Sequence, residues 1–312
     1  MSDEHQKELP RRGEFVGRVI SHTDLGTRSK CISVELTGTA ARVFARTKAG
    51  QFVQFSCRNL DETRSPVPLL RRPFSIGGIR SDGPEGDERL SFDVIYQLLG
   101  PGTRWLEQRR PNEPINLLGP LGNGFSLPQQ QQTRIILIGG GVGLPPMFFL
   151  ANQLFRSGYK DTAAFAGIQT AVHFEPEIIT RKFDECDCLC EISTDDGSYG
   201  FRGNAVEALE GFLDKNPDWQ QAQLYACGPG VMLKAVAALA QRRGMPCQVC
   251  MEAYMSCGIG ICQSCAVRVR DKNSAEQASD DKPQCNANDK PQYKLVCTNG
   301  PVFDSREIMW DE

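Results

Sequence analysis

Apolar and polar positions alternate differently in three parts of the chain. From Phe15 to about Leu127, short runs such as EFVGRVIS, CISVEL, QFVQFSC, RPFSIGGI, LSFDVIYQLL and EPINLLGPLG are broken by Gly, Pro and Asp. Partial alternation buries one face of a strand, and several short strands at this spacing predict an antiparallel β-barrel or sandwich. RSDGPEGDER, residues 80 to 89, combines turn formers with charge and reads as a hairpin loop. GPGTRWLEQRR is the best short helix of this part, with Thr103 near its start and Pro111 beyond its end.

The polar run LPQQQQTR, residues 127 to 134, reads as a linker, and after it the texture changes. RIILIGGGVGLPPMFFLANQLFRSG is an apolar strand, a glycine turn and an amphipathic helix. TAAFAGIQT, CLCEISTDD, GNAVEALEGFLDKN, AQLYACGPG and VMLKAVAALAQRRG continue the alternation of strand and helix, which predicts an α/β parallel sheet with helices on both faces. From about Pro246 the chain becomes rich in cysteine and loops, with a polar stretch at 270–291. The expected organisation is an antiparallel β-barrel at 14–128, an α/β unit at 129–246 and a small cysteine module at 247–312.

At 312 residues each of these parts can bury a core of its own. The net charge of −3, with Lys and Arg dispersed, gives no surface for nucleic acid. The charged N-terminus MSDEHQKELPRRGEF lacks an apolar signal core, and no apolar run is long enough to span a membrane. Thirteen cysteines, an odd number in a long chain, fit a reducing cytoplasm better than a disulfide scaffold, and there clustered cysteines indicate metal or redox chemistry.

Two motifs carry that chemistry. Gly139, Gly140, Gly141 and Gly143 lie between a strand and a helix, where glycine lets backbone approach a phosphate and a helix start offers free N–H groups. Leu144 stands where a full G-x-G-x-x-G fingerprint needs glycine or alanine, so the turn alone is also compatible with plain packing. STDDG (193 to 197) and ACGPG (226 to 230) add two strand ends of the kind that bind ligands in open α/β sheets. In MSCGIGICQSC, Cys257, Cys262 and Cys265 follow C-x4-C-x2-C, the plant-type [2Fe–2S] spacing. A rival count pairs Cys247 and Cys250 with Cys262 and Cys265 as a zinc site, but it leaves Cys257 and the glycines between the ligands unexplained. Cys297, in the apolar setting YKLVCTNGPVF, is the favoured fourth ligand over Cys285 in the polar stretch. Cys186, Cys188 and Cys190 alternate as if on one strand face, Cys31 and Cys57 read as core, and His5, His22 and His173 as surface residues. No nucleophile constellation emerges, so no side chain is assigned as catalytic and cofactors carry the chemistry.

LLRRPFSIGGI, VIYQLLGPGTRWL, LLGPLGNGF, LIGGGVGLPPMFFLA, CGPGVMLKAV, CGIGICQSCAV and KLVCTNGPVFDSREI together resemble, in this order, the electron-transfer subunits of NAD-dependent dihydroorotate dehydrogenase, type B. Those proteins belong to the ferredoxin–NADP reductase-like flavoproteins. The resemblance runs from about residue 14 to the C-terminus. It implies that Arg72, Pro73, Phe74 and Ser75, then Ile95, Tyr96 and Gln97, then Gly102 and Thr103, hold FAD. It implies pyridine-nucleotide contacts at Gly139, Gly140, Gly141, Gly143, Cys227, Gly228 and Pro229, and a [2Fe–2S] cluster on Cys257, Cys262, Cys265 and Cys297. It further implies a partner, an FMN-containing dihydroorotate dehydrogenase catalytic subunit in a heterotetramer of two plus two, with electrons passing through cluster and FAD to NAD+. The same layout also serves reductase subunits of hydrogenases, sulfide- or ferredoxin-linked complexes and oxygenases. One departure is the gap of 31 residues between Cys265 and Cys297 (297 − 265 − 1), longer than is usual for the family.

Overall fold

A computed structural model describes residues 9–58, 68–81, 88–270 and 292–310. The alternating N-terminal part forms one antiparallel sheet from β1 (Gly13–Asp24), β2 (Ser29–Thr37), β3 (Phe52–Phe55), β4 (Arg72–Ser75), β5 (Gly78–Arg80), β6 (Arg89–Gln97) and β7 (Pro114–Leu121), in the order β4-β3-β7-β1-β2-β6-β5. Its inward residues include Val19, Ile32, Val34, Val53, Phe55, Phe92, Val94, Ile115 and Leu117, all buried together. The sheet curls until β4 lies against β6, yet no ladder joins the edge strands β4 and β5 among the described residues, so it is an open half-barrel. Helix α1 (Gly38–Phe44) buries Val43 and Phe44 in this core. Helix α2 (Pro101–Glu107) forms where GPGTRWLEQRR predicted it; Thr103 Oγ1 accepts the N–H groups of Leu99 and Gly100 at 3.0 and 3.1 Å, which fixes the helix start. The hairpin expected at 80–89 joins β5 to β6, and residues 82–87 of it lie outside the described residues.

The second sheet contains β8 (Ile135–Gly140), β9 (Thr162–Ile168), β10 (Leu189–Thr194), β11 (Phe201–Arg202), β12 (Gln223–Cys227) and β13 (Cys247–Cys250), all parallel. Helices α3 (Leu144–Arg156) and α4 (Pro176–Asp184) pack on one face, and α5 (Ala205–Lys215) and α6 (Gly230–Arg242) on the other. The sheet is mixed rather than parallel throughout: the chain returns from the cysteine-rich part as β16 (Val302–Asp304), antiparallel to β13. Between them, β14 (Ala266–Val269) and β15 (Gln292–Leu295) form a separate two-stranded ladder. β9 and β12 flank β8 on opposite sides, so the strand order reverses there and opens a crevice at the carboxyl ends.

Two local expectations change. Cys186 and Cys188 do not share a strand face with Cys190; they lie in the turn after α4, where Asp187 takes a positive φ of 51°, and only Cys190 is in β10. The alternation arises because the turn buries both flanking thiols. His22 is not a surface residue: it is half-buried, with Nε2 2.8 Å from Tyr96 Oη and Nδ1 3.2 Å from the Arg109 carbonyl. His5 and Cys285 lie outside the described residues, as does the polar stretch from 271 to 291.

Candidate functional site

A cavity of about 420 Å³ opens between the two sheets. Arg72, Pro73, Phe74 and Ser75 enter it from β4, Ile95, Tyr96 and Gln97 from the end of β6, and Gly102 and Thr103 from α2. Phe74 is held by Phe55 and Tyr96, with ring centroids at 5.4 and 6.0 Å. Neutral His22 in turn orients Tyr96: with Nδ1 donating to the Arg109 carbonyl, Nε2 is left to accept the phenol proton. Gly102 is where it is because Arg72 passes over it; a Cβ there would lie 2.9 Å from Arg72 Cγ. The half-barrel therefore presents a fixed guanidinium, an aromatic wall and a small-residue shelf, donors and shape that suit a bulky ring attached to a pyrophosphate.

The second sheet closes the cavity with Val142 and Cys227. The glycine turn divides its labour. Gly141, with φ of 53°, faces open space, its nearest neighbour being Gln97 Nε2 at 3.9 Å from a would-be Cβ. Gly143 permits close packing instead, since a Cβ would sit 2.1 Å from the Cys227 carbonyl oxygen. Gly139 and Gly140 likewise make room for Leu144 and Met232. Gly228 and Pro229 do not line the cavity, although Pro229 sits beside Gly140. Cys227 is buried against Cys250, and that contact and burial both raise its thiol well above the ordinary range.

Sequence reasoning missed the third wall. Cys250, Met251, Glu252, Ala253 and Met255 run along the cavity from the end of β13 and lead straight into the cysteine loop. Glu252 lines the cavity, and desolvation there raises its carboxyl above the usual value. The signal available was its place between the strand end and Cys257.

In the loop itself the four predicted cysteines stand as two pairs. Cys257 Sγ accepts the N–H groups of Ile259 and Cys262 at 3.5 and 3.4 Å, and its thiol also interacts with that of Cys262. Burial opposes ionisation of Cys257, but these N–H donors hold its thiol below the ordinary value. Cys262 is exposed and held down to about 6 by Ser264, whose hydroxyl lies 3.2 Å from the sulfur, and whose N–H adds a second donor. Cys265 and Cys297 form the inner pair, both buried, with the Gly260 N–H directed at Cys297. Burial, then Cys265, pushes the Cys297 thiol up to about 11.

The ladder of β14 and β15 creates the inner pair. Ala266 pairs with Leu295, and the Val296 N–H donates to the Cys265 carbonyl at 3.0 Å, so the cysteines meet at the base of the hairpin. Residues 270–291 leave from its other end, beyond Val269 and Gln292, which is why the long gap does not separate the thiols. A binuclear cluster needs two thiolates per iron and N–H groups over the sulfurs, and two pairs with backbone donors fit that demand. Tetrahedral zinc fits poorly. Cys247 and Cys250, which the zinc count needs, are buried in β13 with Cys250 turned to Gly50 and Cys227.

A half-barrel with a flavin-shaped cavity, an α/β sheet completing it and a paired-cysteine loop beside it define an iron–sulfur flavoprotein class of ferredoxin-reductase-like fold. Solved structures agree on the fold. An NADH-dependent reduced ferredoxin–NADP oxidoreductase matches with a TM-score of 0.69 at 21% identity, covering 94% of this chain and 90% of that one. The ferredoxin reductase in carbazole 1,9a-dioxygenase matches with a TM-score of 0.60 at 20% identity, over 75% and 67% of the two chains. The family profile for the iron–sulfur cluster binding domain of dihydroorotate dehydrogenase B matches residues 252–279. A dihydroorotate dehydrogenase B (NAD(+)) electron transfer subunit from Geobacillus kaustophilus is 35% identical over 88% of this chain and 92% of its own length. One from Desulforamulus reducens is 32% identical over 84% and 87%. The chain belongs to the family of dihydroorotate dehydrogenase B (NAD(+)) electron transfer subunits.

Proposed function

We propose that this chain carries electrons from a dihydroorotate-oxidising catalytic subunit, through a [2Fe–2S] cluster and FAD, to NAD+ in pyrimidine biosynthesis. The observation that carries the reading is continuity: one short segment, 250–255, lines the flavin-shaped cavity, and two residues later the chain reaches Cys257. When bound, the flavin supplies the exchange between hydride and single electrons that neither nicotinamide nor cluster performs alone. The protein's part is positional. Arg72 and the Gly102–Thr103 shelf would hold the pyrophosphate end of FAD, with Phe74, Ser75 and Tyr96 beside its ring, and the thiol pairs Cys257 with Cys262 and Cys265 with Cys297 would supply the cluster's ligands. Gln97, Val142 and Cys227 line the cavity at the carboxyl ends of β8 and β12, with open space at Gly141, and these residues would hold the nicotinamide.

The catalytic partner, an FMN-containing subunit in a two-plus-two assembly, meets the exposed edge of the cysteine loop. Cys262 is exposed there, and Tyr254 and Ile261 are 96% and 75% exposed, an apolar rim around the outer thiolate pair. Among the described residues no helix is long and apolar enough to cross a membrane, and a cytoplasmic location accords with the free thiols. The units proposed are 14–128 for FAD, 129–246 for NAD and 247–312 for the cluster, with β13 and β16 of the last joining the second sheet.

Anaerobic purification tests the reading. Flavin and iron–sulfur absorption with about two irons per chain, bleached by NADH, and copurification of a dihydroorotate-oxidising flavoprotein are expected. A colourless chain, or a stable complex with an unrelated oxygenase or hydrogenase subunit, would overturn it.

A further inference from the structure

Gln54 lies on β3, whose alternate residues Val53 and Phe55 fill the half-barrel core. Gln54 and Phe52 therefore point outward, and Phe52 packs in the same apolar cluster as Cys265 and Cys297. Gln54 is 0% exposed, and neither Nε2 nor Oε1 has a hydrogen-bond partner. It is the one side chain among the described residues with two such buried orphan atoms. Buried amides in folded proteins are almost always hydrogen-bonded, so a partner for this one is expected.

What it touches is the cysteine loop. At Gly258, buried and with φ of 70°, a Cβ would lie 2.7 Å from Gln54 Cδ and 2.8 Å from each of Nε2 and Oε1. The terminal atoms are equidistant, so a half-turn of the amide presents its NH2 group without moving the chain. Gly258 follows Cys257 directly, and its missing side chain opens the space through which the amide reaches the loop. On the other side, Gln54 pairs across the ladder with Pro73 of the flavin-facing strand β4. The surrounding groups on this face are mainly apolar, with Leu118 and Phe52 beside it.

We propose that the Gln54 side-chain amide donates a hydrogen bond to sulfur of the [2Fe–2S] centre on the Cys257 side, and so raises its reduction potential. The proposal rests on the cluster assignment above. A donor of this kind stabilises the more negative reduced centre more than the oxidised one. Gln54 is a positioning and tuning residue; it takes no part in proton or hydride transfer.

The experiment uses the purified full chain with its cluster loaded, and compares wild type with Gln54→Met and Gln54→Asn. EPR-monitored redox titration of the Met variant is expected to show a reduction equilibrium constant lower by about tenfold, which for one electron is ~59 mV. Asn, a shorter amide, is expected to recover part of the loss. In wild type reduced in D2O, pulsed hyperfine spectroscopy should reveal an exchangeable proton coupling that Gln54→Met removes. Should Gln54→Met load no cluster, the same spectroscopy on wild type labelled with 15N at glutamine side chains decides: a glutamine nitrogen coupling supports the proposal, and its absence overturns it. An unchanged potential with an unchanged hyperfine spectrum in Gln54→Met also overturns it. Failure of wild type itself to hold a [2Fe–2S] centre would instead sink the cluster assignment.

Discussion

Shortening the hairpin tests the cluster assignment most directly. The ladder Ala266–Leu295 to Val269–Gln292 brings Cys265 to Cys297, and 22 residues (270–291) connect its far end. Keeping Arg270, whose N–H donates to the Glu307 carbonyl at 2.8 Å, and replacing 271–291 by a three-residue turn leaves a four-residue connection. Loop closure scales as (3/2)RT ln n, so cutting 22 residues to four lowers the closure cost by about 1.5 kcal/mol. In a chain of this size that corresponds to a rise in Tm of about 2–4 °C. The deletion also removes Cys285, the rival fourth ligand. Iron analysis, visible absorption and thermal unfolding of the anaerobically purified variant should show a full cluster and equal or higher stability. A variant that keeps the wild-type far-UV circular dichroism but has lost its iron would refute the reasoning, because the cluster would then depend on the deleted stretch rather than on the hairpin base.

The other predictions use single sites. Gly143→Ala places a Cβ 2.1 Å from the Cys227 carbonyl oxygen and 2.5 Å from the Gly228 nitrogen, backbone atoms that cannot rotate aside; a loss of about 3 kcal/mol or more in urea unfolding is expected, and a neutral result would show that β8 and β12 are less tightly joined. Burial lowers the pKa of His22 from its ordinary 6.5, so the unfolded chain binds the extra proton first. The associated stability is complete above the unfolded value and declines as pH falls through 6.5 toward the folded one. His22→Gln should flatten that part of a Tm-against-pH curve, and an identical slope in the variant would exclude His22 as its source. Cys297→Ser should abolish the iron–sulfur absorption and leave the flavin bands, since Arg72–Ser75, Ile95–Gln97 and Gly102–Thr103 enter the cavity from the half-barrel and not from the cysteine loop; retention of the cluster would move the fourth ligand elsewhere.

Much of this molecule was legible in its sequence because the informative features are local. Alternation with period two gave the N-terminal strands, and the run IILIGG followed by Pro145 and Pro146 gave β8 and α3. The C-x4-C-x2-C spacing, with Gly258 and Gly260 at positive φ of 70° and 89°, specified a loop that folds N–H groups over sulfur. Each is a constraint that a few neighbouring residues impose on one another.

What only the tertiary structure decided are relations between residues far apart in the chain. The four glycines of the turn look alike in sequence, yet only Gly141 faces open space, because α3, α6 and β12 close over the others. Glu252 becomes a cavity wall when the two sheets meet, and His22 becomes the partner of Tyr96 across 74 residues. Gln54 reads as an ordinary polar residue on a strand until the cysteine loop is laid over it and its amide loses water. The sequence by itself determined the strands, the glycine turn and the cysteine spacing, since short-range sterics and periodicity write those locally. Burial and pairing across the two sheets decided which glycine faces open space, how the hairpin brings Cys265 to Cys297, and why a glutamine on the outside of a half-barrel ends up beside the cysteine loop.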